Sequence, residues 1–482
     1  MNHKSCTISP DSLMLAVPFF ILAAANVIQS STMTVWALIL QTMLLVRFCL
    51  KEFHKKIALA FFYVCVFTFL TGKIMIDYFR HNQEWLVTFS SQEYICACNA
   101  LYLAYLCLWA GYQWKKNRQL FFGESSLTKR VKNLFDDKNF HMGWVQDISF
   151  YILMASSLCM VFFNLKKLEY AMQYGYMSLY TTYAGSAWAS RMEFACQVSF
   201  FTGLAAKPSR KRLFWYGVFG LINPVIEFAQ GSRGAVVTQS LFFILYLYSY
   251  SDIKKGSLTK AEYRKKFRRL FIAGMAVCAA ALPVLAVYGV TRSGGVYAGP
   301  SGIFGKIIDF FDQQGFSFSL IGYAVKYKGQ MPNCFYSFGA LIDQFFAGAG
   351  FQGKEDFALH AHSFGDSITY IVAKTAYLNG YGMGSSYIAE LYYDFGYLGI
   401  AAVNIGLGAF MKDMTDWKNR SVSGQAVCFF LYRYFLGIPR GAFAHPFQKL
   451  TASSVMLTFF FIFGLAAWKK YMDGKQTGDK AG

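Results

Sequence analysis

The sequence predicts an all-α polytopic integral membrane protein of about twelve transmembrane helices, with both termini inside and one large external loop. Three observations predict it. Of the 482 residues, 55% are hydrophobic and 15% charged, where soluble chains carry about 25% charged residues. Apolar runs recur from residue 11 to residue 468, and many approach the roughly 20 residues that a bilayer-spanning helix needs. The 46 Lys and Arg collect in alternate connections, which is how a polytopic chain marks its cytoplasmic side. No long polar stretch remains to build a second, soluble domain.

Taken in order, the candidate spans are 11–30, 33–50, 57–76, 92–114, 144–164, 186–206, 213–230, 234–250, 270–290, 386–411, 422–438 and 451–468. The first is expected to be a retained span, because no small-residue cleavage site separates it from the second. Placing the N-terminus inside puts the basic segments 47–56, 115–140, 207–212, 251–269, 412–420 and the tail from Lys469 on one side. With Lys4 they hold 31 of the 46 basic residues, and the opposite face is near neutral. The run of lysines and arginines at 254–269 reads as a loop facing anionic lipid rather than as a nucleic-acid patch. The chain therefore divides into nine spans over 1–290, an external loop over 291–385, three spans over 386–468 and a cytoplasmic tail over 469–482. The eleven cysteines lie mostly within apolar runs, and Cys96 and Cys98 match neither a redox nor a zinc spacing. Neither a disulfide framework nor a metal site is expected.

The segment 291–385 holds nineteen Phe and Tyr, too many for a disordered linker. Residues 302–316 place Ile303, Phe304, Ile307, Ile308 and Phe311 on one helical face with Lys306, Asp309 and Asp312 opposite, the pattern of a helix lying in the membrane interface. A second helix is expected from Asp366 to Asn379, ending at the Asn379-Gly380 pair. The segment reads as a cap over the outer end of the bundle.

Ionisable residues at the membrane boundary are costly and mark function by default. Arg191 and Glu193 fall in the sixth span, Glu227 near the outer end of the seventh, and Arg233 in the Gly-Ser-Arg-Gly turn before the eighth. Arg292 follows the ninth span, Glu390 and Asp394 lie in the tenth, and Arg433, Arg440 and His445 gather at the end of the eleventh. Some of these arginines could simply pair with acids, as Glu227 with Arg233 or Glu193 with Arg191. As a set they suit an anion, because guanidinium forks match phosphate oxygens and keep their charge when buried. A lipid-linked diphosphate or a transported anion would call for them. His360 and His362 in the loop have no third ligand at zinc spacing, so a base or a phosphate donor is the better reading. Neither an Asp-x-Asp motif nor a Walker-type phosphate loop occurs, which argues against nucleotide-sugar transfer on a divalent ion and against an ATP-driven pump.

The order of these features resembles the bacterial O-antigen and capsule repeat-unit polymerases, the Wzy-type family. The carrying residues are the Gly231–Gly234 turn that opens a mid-chain span, the late outer loop, the glycine-rich and acidic-aromatic run from Gly380 to Gly399, and Pro439-Arg440-Gly441. The architecture covers the whole chain, and the motifs cover 231–240 and 380–441.

The resemblance implies a fold similar to membrane-embedded glycosyltransferases that use lipid-linked sugars, working at the outer face of the cytoplasmic membrane without metal or other cofactor. It implies two undecaprenyl-diphosphate-linked oligosaccharides, donor and acceptor, as substrates. Membrane lipids, a chain-length regulator and a flippase of the same pathway would be its partners, and nucleic acid would not. Arg233 and Arg440 match the family's arginines, Glu390 and Asp394 its acidic-aromatic motif. Arg191, Arg292 and Arg433 are expected to add to diphosphate binding, while His360, Tyr392 and Asp394 position the sugars. Glu390 is the expected acceptor base and His362 the competing one. A ligase using the same donor site, a flippase and a membrane acyltransferase are the rival functions. No internal repeat of the kind common in transporters is visible.

Overall fold

The computed structural model describes residues 14–80, 88–117, 136–175, 178–183, 185–232, 234–255, 259–291, 299, 302–346, 353–414 and 420–478. Arg233 and Arg292 lie outside the described residues, as do parts of the basic segments at 115–140, 251–269 and 412–420 and the ends of the chain. The described residues form helices and no strands, and each of the twelve predicted stretches carries one. These are α1 (Ala16–Ile28), α2 (Ser31–Lys51), α3 (Phe53–Phe79), α4 (Ser91–Asn117), α5 (Met142–Tyr174), α6 (Ala187–Ala205), α7 (Arg210–Ala229), α8 (Gly234–Lys255) and α9 (Lys260–Thr291). After the cap follow α16 (Tyr387–Asp413), α17 (Val422–Phe435) and α19 (Ser453–Gly478), with the short α18 (His445–Thr451) before the last. Within the cap lie α10 (Ile303–Gln314), α11 (Ser317–Lys326), α12 (Tyr336–Phe346), α13 (Glu355–His360), α14 (Phe364–Val372) and α15 (Lys374–Leu378).

Six helices, α2, α3, α4, α5, α16 and α19, are long and apolar enough to cross a membrane. The others are shorter apolar helices, as α1 and α8 are, or carry charged residues. Helix α6 carries Arg191 and Glu193, α7 begins Arg210-Lys211-Arg212 and contains Glu227, and α17 is only 14 residues long. Serines start several of these helices: Ser30 accepts from the Met33 N–H at 3.3 Å and Ser421 from that of Gly424 at 3.3 Å, satisfying amides that a helix leaves unpaired.

The core is organised around α4 and α16, which approach so closely that backbone meets backbone. A Cβ on Gly111 would lie 2.0 Å from the Ile405 carbonyl, and one on Gly408 would lie 2.1 Å from that of Leu108. In lipid, where apolar burial gives helices little reason to associate, such contacts between small residues supply the packing. The chain also turns back within α16 at Gly396, whose φ of 62° and ψ of −149° belong to a region that only glycine occupies without strain; across this turn Tyr387 donates to Asn404 Oδ1 at 2.8 Å. The turn leaves Glu390 and Asp394 on the segment before it, and Ile405 and Gly408, which meet the α4 backbone, on the segment after it.

The cap differs from its sequence expectation in three ways. Helix α11 does not lie on the surface: Ser317 through Ala324 are buried, packed against α4, α16 and the π-helical turn Phe67–Thr71 of α3. Its apolar run is too short to span and reads as an inserted segment. Helix α10 leaves its apolar face open at one end and buries its other end. Ile303 and Phe304 are 60% and 83% exposed, whereas Phe310 and Gln314 are buried and Phe311 stacks edge-on to Phe67 at 5.9 Å. The reason is polar: Asp312 and Gln314 have partners inside. The expected helix over 366–379 is two helices, α14 and α15, separated at Ala373 (φ −144°, ψ 60°), and nothing in the local sequence marks the break.

Candidate active site

Glu390 sits on the first turn of α16 and is 1% exposed. One carboxylate oxygen accepts from the Ser385 hydroxyl at 2.6 Å and the other from the Phe443 N–H at 2.8 Å. Ser385 belongs to the glycine-rich approach from the cap, and Phe443 follows Pro439-Arg440-Gly441. Glu390 therefore ties the Gly380–Gly399 run to the segment that follows Pro439-Arg440-Gly441. No arginine or lysine meets it among the described residues, and neither oxygen faces open space.

Asp394, one turn further, accepts from the backbone N–H groups of Tyr336 (3.2 Å) and Ser337 (2.7 Å). These are the first amides of α12, so Asp394 caps a cap helix from outside it and complements its positive end. Tyr393 accepts from the Met331 N–H at 3.1 Å and packs edge-on to Tyr336 at 5.4 Å. Tyr392 has the Lys328 ammonium 4.9 Å over its ring.

Between these anchors lies a cavity of about 520 Å3, lined by Lys328, Gly329, Met331, Pro332, Asn333, Cys334, Tyr393 and His362. His362 is held firmly at its wall. Its N–H lies 3.2 and 3.0 Å from the Asp343 carboxylate oxygens, and its Nδ1 lies 2.9 Å from Oδ1. An ionised carboxylate only accepts, so Nδ1 carries a proton, and in the neutral imidazole Nε2 then keeps the lone pair. Nε2 has no partner among the described residues. Asp343 reaches His362 because Gly339, one turn earlier on α12, lets the helix ride over the loop: a Cβ there would lie 1.7 Å from the His362 carbonyl. His360 is different. It is exposed and bonds the Asp356 carbonyl and carboxylate of its own helix, each at 3.0 Å.

Among the described residues, Arg440, Arg433 and Arg191 meet different partners. Arg440 donates to Gln314 Oε1 at the end of α10 and lies 5.9 Å from the Phe69 ring. Arg433 has its guanidinium 4.5 Å over Tyr434; its buried Nε has no hydrogen-bond partner among the described residues. Around it lie Glu227, Lys449 and His445, where burial, Lys449 and Arg433 hold the imidazole down to about 3 and hence neutral. Arg191 is exposed beside Trp188 at 5.1 Å. It makes no ion pair with Glu193, which instead accepts from Gln197 at 2.9 Å.

Two features escape the sequence reading. Asp343 looks like any surface acid on a short helix. Lys73 of α3 bridges Asp77 (3.1 Å) and Asp312 of α10 (2.7 Å). The signal for that pair was present, since two charges four residues apart inside an apolar run form a helix-face pair.

A family model, O-antigen polysaccharide polymerase Wzy, matches residues 12–471. The chain belongs to that family. It is accordingly a membrane glycosyltransferase-type polymerase of O-antigen repeat units, acting on lipid-linked oligosaccharides. No curated protein and no solved structure matches the chain. Among the described residues of this Wzy-family polymerase, no group of three or more His, Cys, Asp or Glu is arranged to hold a metal ion.

Proposed function

We propose that the polymerase joins oligosaccharide repeat units carried on undecaprenyl diphosphate, by block transfer at the outer face of the cytoplasmic membrane. Twelve spans with both termini inside then place the cap and its cavity outside. The acceptor's terminal hydroxyl attacks the anomeric carbon of the growing glycan, and the bond from that carbon to the phosphate oxygen breaks. The diphosphate leaves with the electron pair, and the hydroxyl proton passes to a base. Arg440, with Arg233, offsets the charge that develops on the leaving diphosphate.

The observation that carries this reading is the His362–Asp343 dyad at the cavity wall. Asp343 fixes the tautomer, leaving Nε2 to accept the acceptor's proton. Glu390, sealed between Ser385 and Phe443, holds the cap approach to the Arg440 segment instead. His362 thus takes the role expected of Glu390, Tyr393 lines the cavity from α16, and Asp394 holds the start of α12 beside it.

Purified polymerase in nanodiscs, given short lipid-linked repeats, tests this. His362→Gln should lower turnover by about 100-fold or more, the usual range for removing a general base, with KM little changed. Asp343→Asn should give a smaller loss in the same parameter. Turnover near wild type in His362→Gln would sink the assignment. In cells lacking the gene, single-repeat surface glycan indicates a lost polymerase, and full-length unattached polymer a lost ligase.

A further inference from the structure

The last turn of α10 presents a polar side chain whose hydrogen-bonding capacity is half used. Gln314 is 5% exposed. Its Oε1 accepts from the Arg440 guanidinium, and its buried Nε2 has no hydrogen-bond partner among the described residues. The orientation of the amide is settled by chemistry: arginine only donates, so oxygen must face it and the NH2 group must face away. A buried donor without an acceptor costs about as much as a lost hydrogen bond, and such a group is retained where a ligand completes it.

Its surroundings fix its position. Asp312, two residues earlier, is bonded to Lys73 at 2.7 Å, and Lys73 also meets Asp77 at 3.1 Å. Gly315, the next residue, packs so tightly that a Cβ would lie 2.3 Å from the Lys73 Cβ. The π-helical turn Phe67–Thr71 immediately precedes this contact and supplies Phe69 beneath Arg440; such turns concentrate at functional sites. The end of α10 is therefore pinned to α3 on both sides of Gln314.

We infer that Gln314 and Arg440 form one anion site, in which the Gln314 amide N–H and the Arg440 guanidinium together bind phosphate oxygens of the lipid diphosphate. The inference rests on the proposed role of Arg440 and adds Gln314 as a binding residue, with the Lys73–Asp312 pair as its positioning element. The Gln314 Oε1 bond directs the fork of Arg440, and the amide N–H supplies a neutral donor beside it. Such a donor orients one oxygen without adding charge that would hold the product after transfer.

The test measures binding of inorganic pyrophosphate to full-length polymerase in nanodiscs by calorimetry, alongside thermal unfolding. Gln314→Leu keeps the size and removes the donor; it should weaken pyrophosphate about tenfold, the usual scale for a hydrogen bond to a charged group. Gln314→Glu, whose carboxylate would pair with Arg440 and repel the ligand, should weaken it further, and it carries the test if the leucine variant does not insert. Arg440→Ala should weaken binding most. If Arg440→Ala weakens pyrophosphate and both Gln314 variants bind as wild type does, the inference fails and the reading of Arg440 stands. If none of the variants changes binding, the diphosphate reading of Arg440 fails as well.

Discussion

Glu390 shows how a residue's type leaves its task open. A carboxylate at the start of a membrane helix suits a base, yet its two acceptors here are filled by Ser385 and Phe443. Glutamine can replace it in that role. Its carbonyl accepts from Phe443, and its amide donates to the Ser385 oxygen. Glu390→Gln should therefore keep most of the turnover, whereas Glu390→Ala should destabilise the protein by about 1–3 kcal/mol by leaving a buried N–H unpaired. A collapsed turnover in the glutamine variant, with binding intact, would return the base to Glu390. His445 gives a pH prediction. Its folded value of about 3 lies below its ordinary 6.5, so the folded state binds fewer protons than the unfolded one. The stability that its neutral form contributes is whole above pH 6.5 and is lost as pH falls toward 3. By about pH 5 the loss is ~2 kcal/mol. Thermal unfolding of the solubilised protein should fall less steeply with acid in His445→Gln than in wild type, and identical slopes would reject the assignment.

At the scale of elements, α10 is the piece whose placement matters most. Periodicity assigned its polar face to solvent, and the fold turned Asp312 inward because Lys73 lies there. Lys73 and Asp77 are 11% and 4% exposed at their side chains and Asp312 25%. Removing the cation leaves two acids facing each other, and breaking such a buried pair costs about 3 kcal/mol or more. Lys73→Met should be the most damaging change of the three, and Asp312→Asn mild, since Asp77 still pairs with Lys73. A double variant, Lys73→Met with Asp312→Asn, should recover part of the loss. Equal damage from Lys73→Met and Asp312→Asn would mean that the ion pair does not hold α10.

At the scale of the whole molecule, charge asymmetry predicts orientation. Cysteines placed at 354, in the cap, and at 260, before α9, should react with an impermeant reagent from outside and inside respectively. The cysteines whose side chains are described are free, and Cys159 and Cys334 are the exposed ones among them, so a background with both replaced is needed. Labelling from outside at 260 alone would overturn the orientation, the placement of the cap and the outer-face reading with it.

Much of the bundle was legible because the bilayer constrains it harshly: a chain that cannot hydrogen-bond to lipid must use long apolar helices, and each predicted stretch is helical, six of the helices being long and apolar enough to cross a membrane. Arg440, Glu390, Asp394 and His362 could be picked out because charge at a membrane boundary is expensive. What each of them does was decided elsewhere. His362 gained Asp343 from 19 residues away, and Arg440 gained Gln314 from 126 residues away. Those meetings depend on the glycine that lets α12 ride over the loop, on the insertion of α11 and on the docking of the end of α10 against Lys73. Hydrophobic period registers which face of a helix is apolar, and it is blind to which distant polar group will be waiting when that face turns inward. The sequence by itself determined the helices and the set of charged residues at their ends. Only the tertiary structure decided their partners, because hydrogen-bond geometry is fixed by packing across elements and not along the chain.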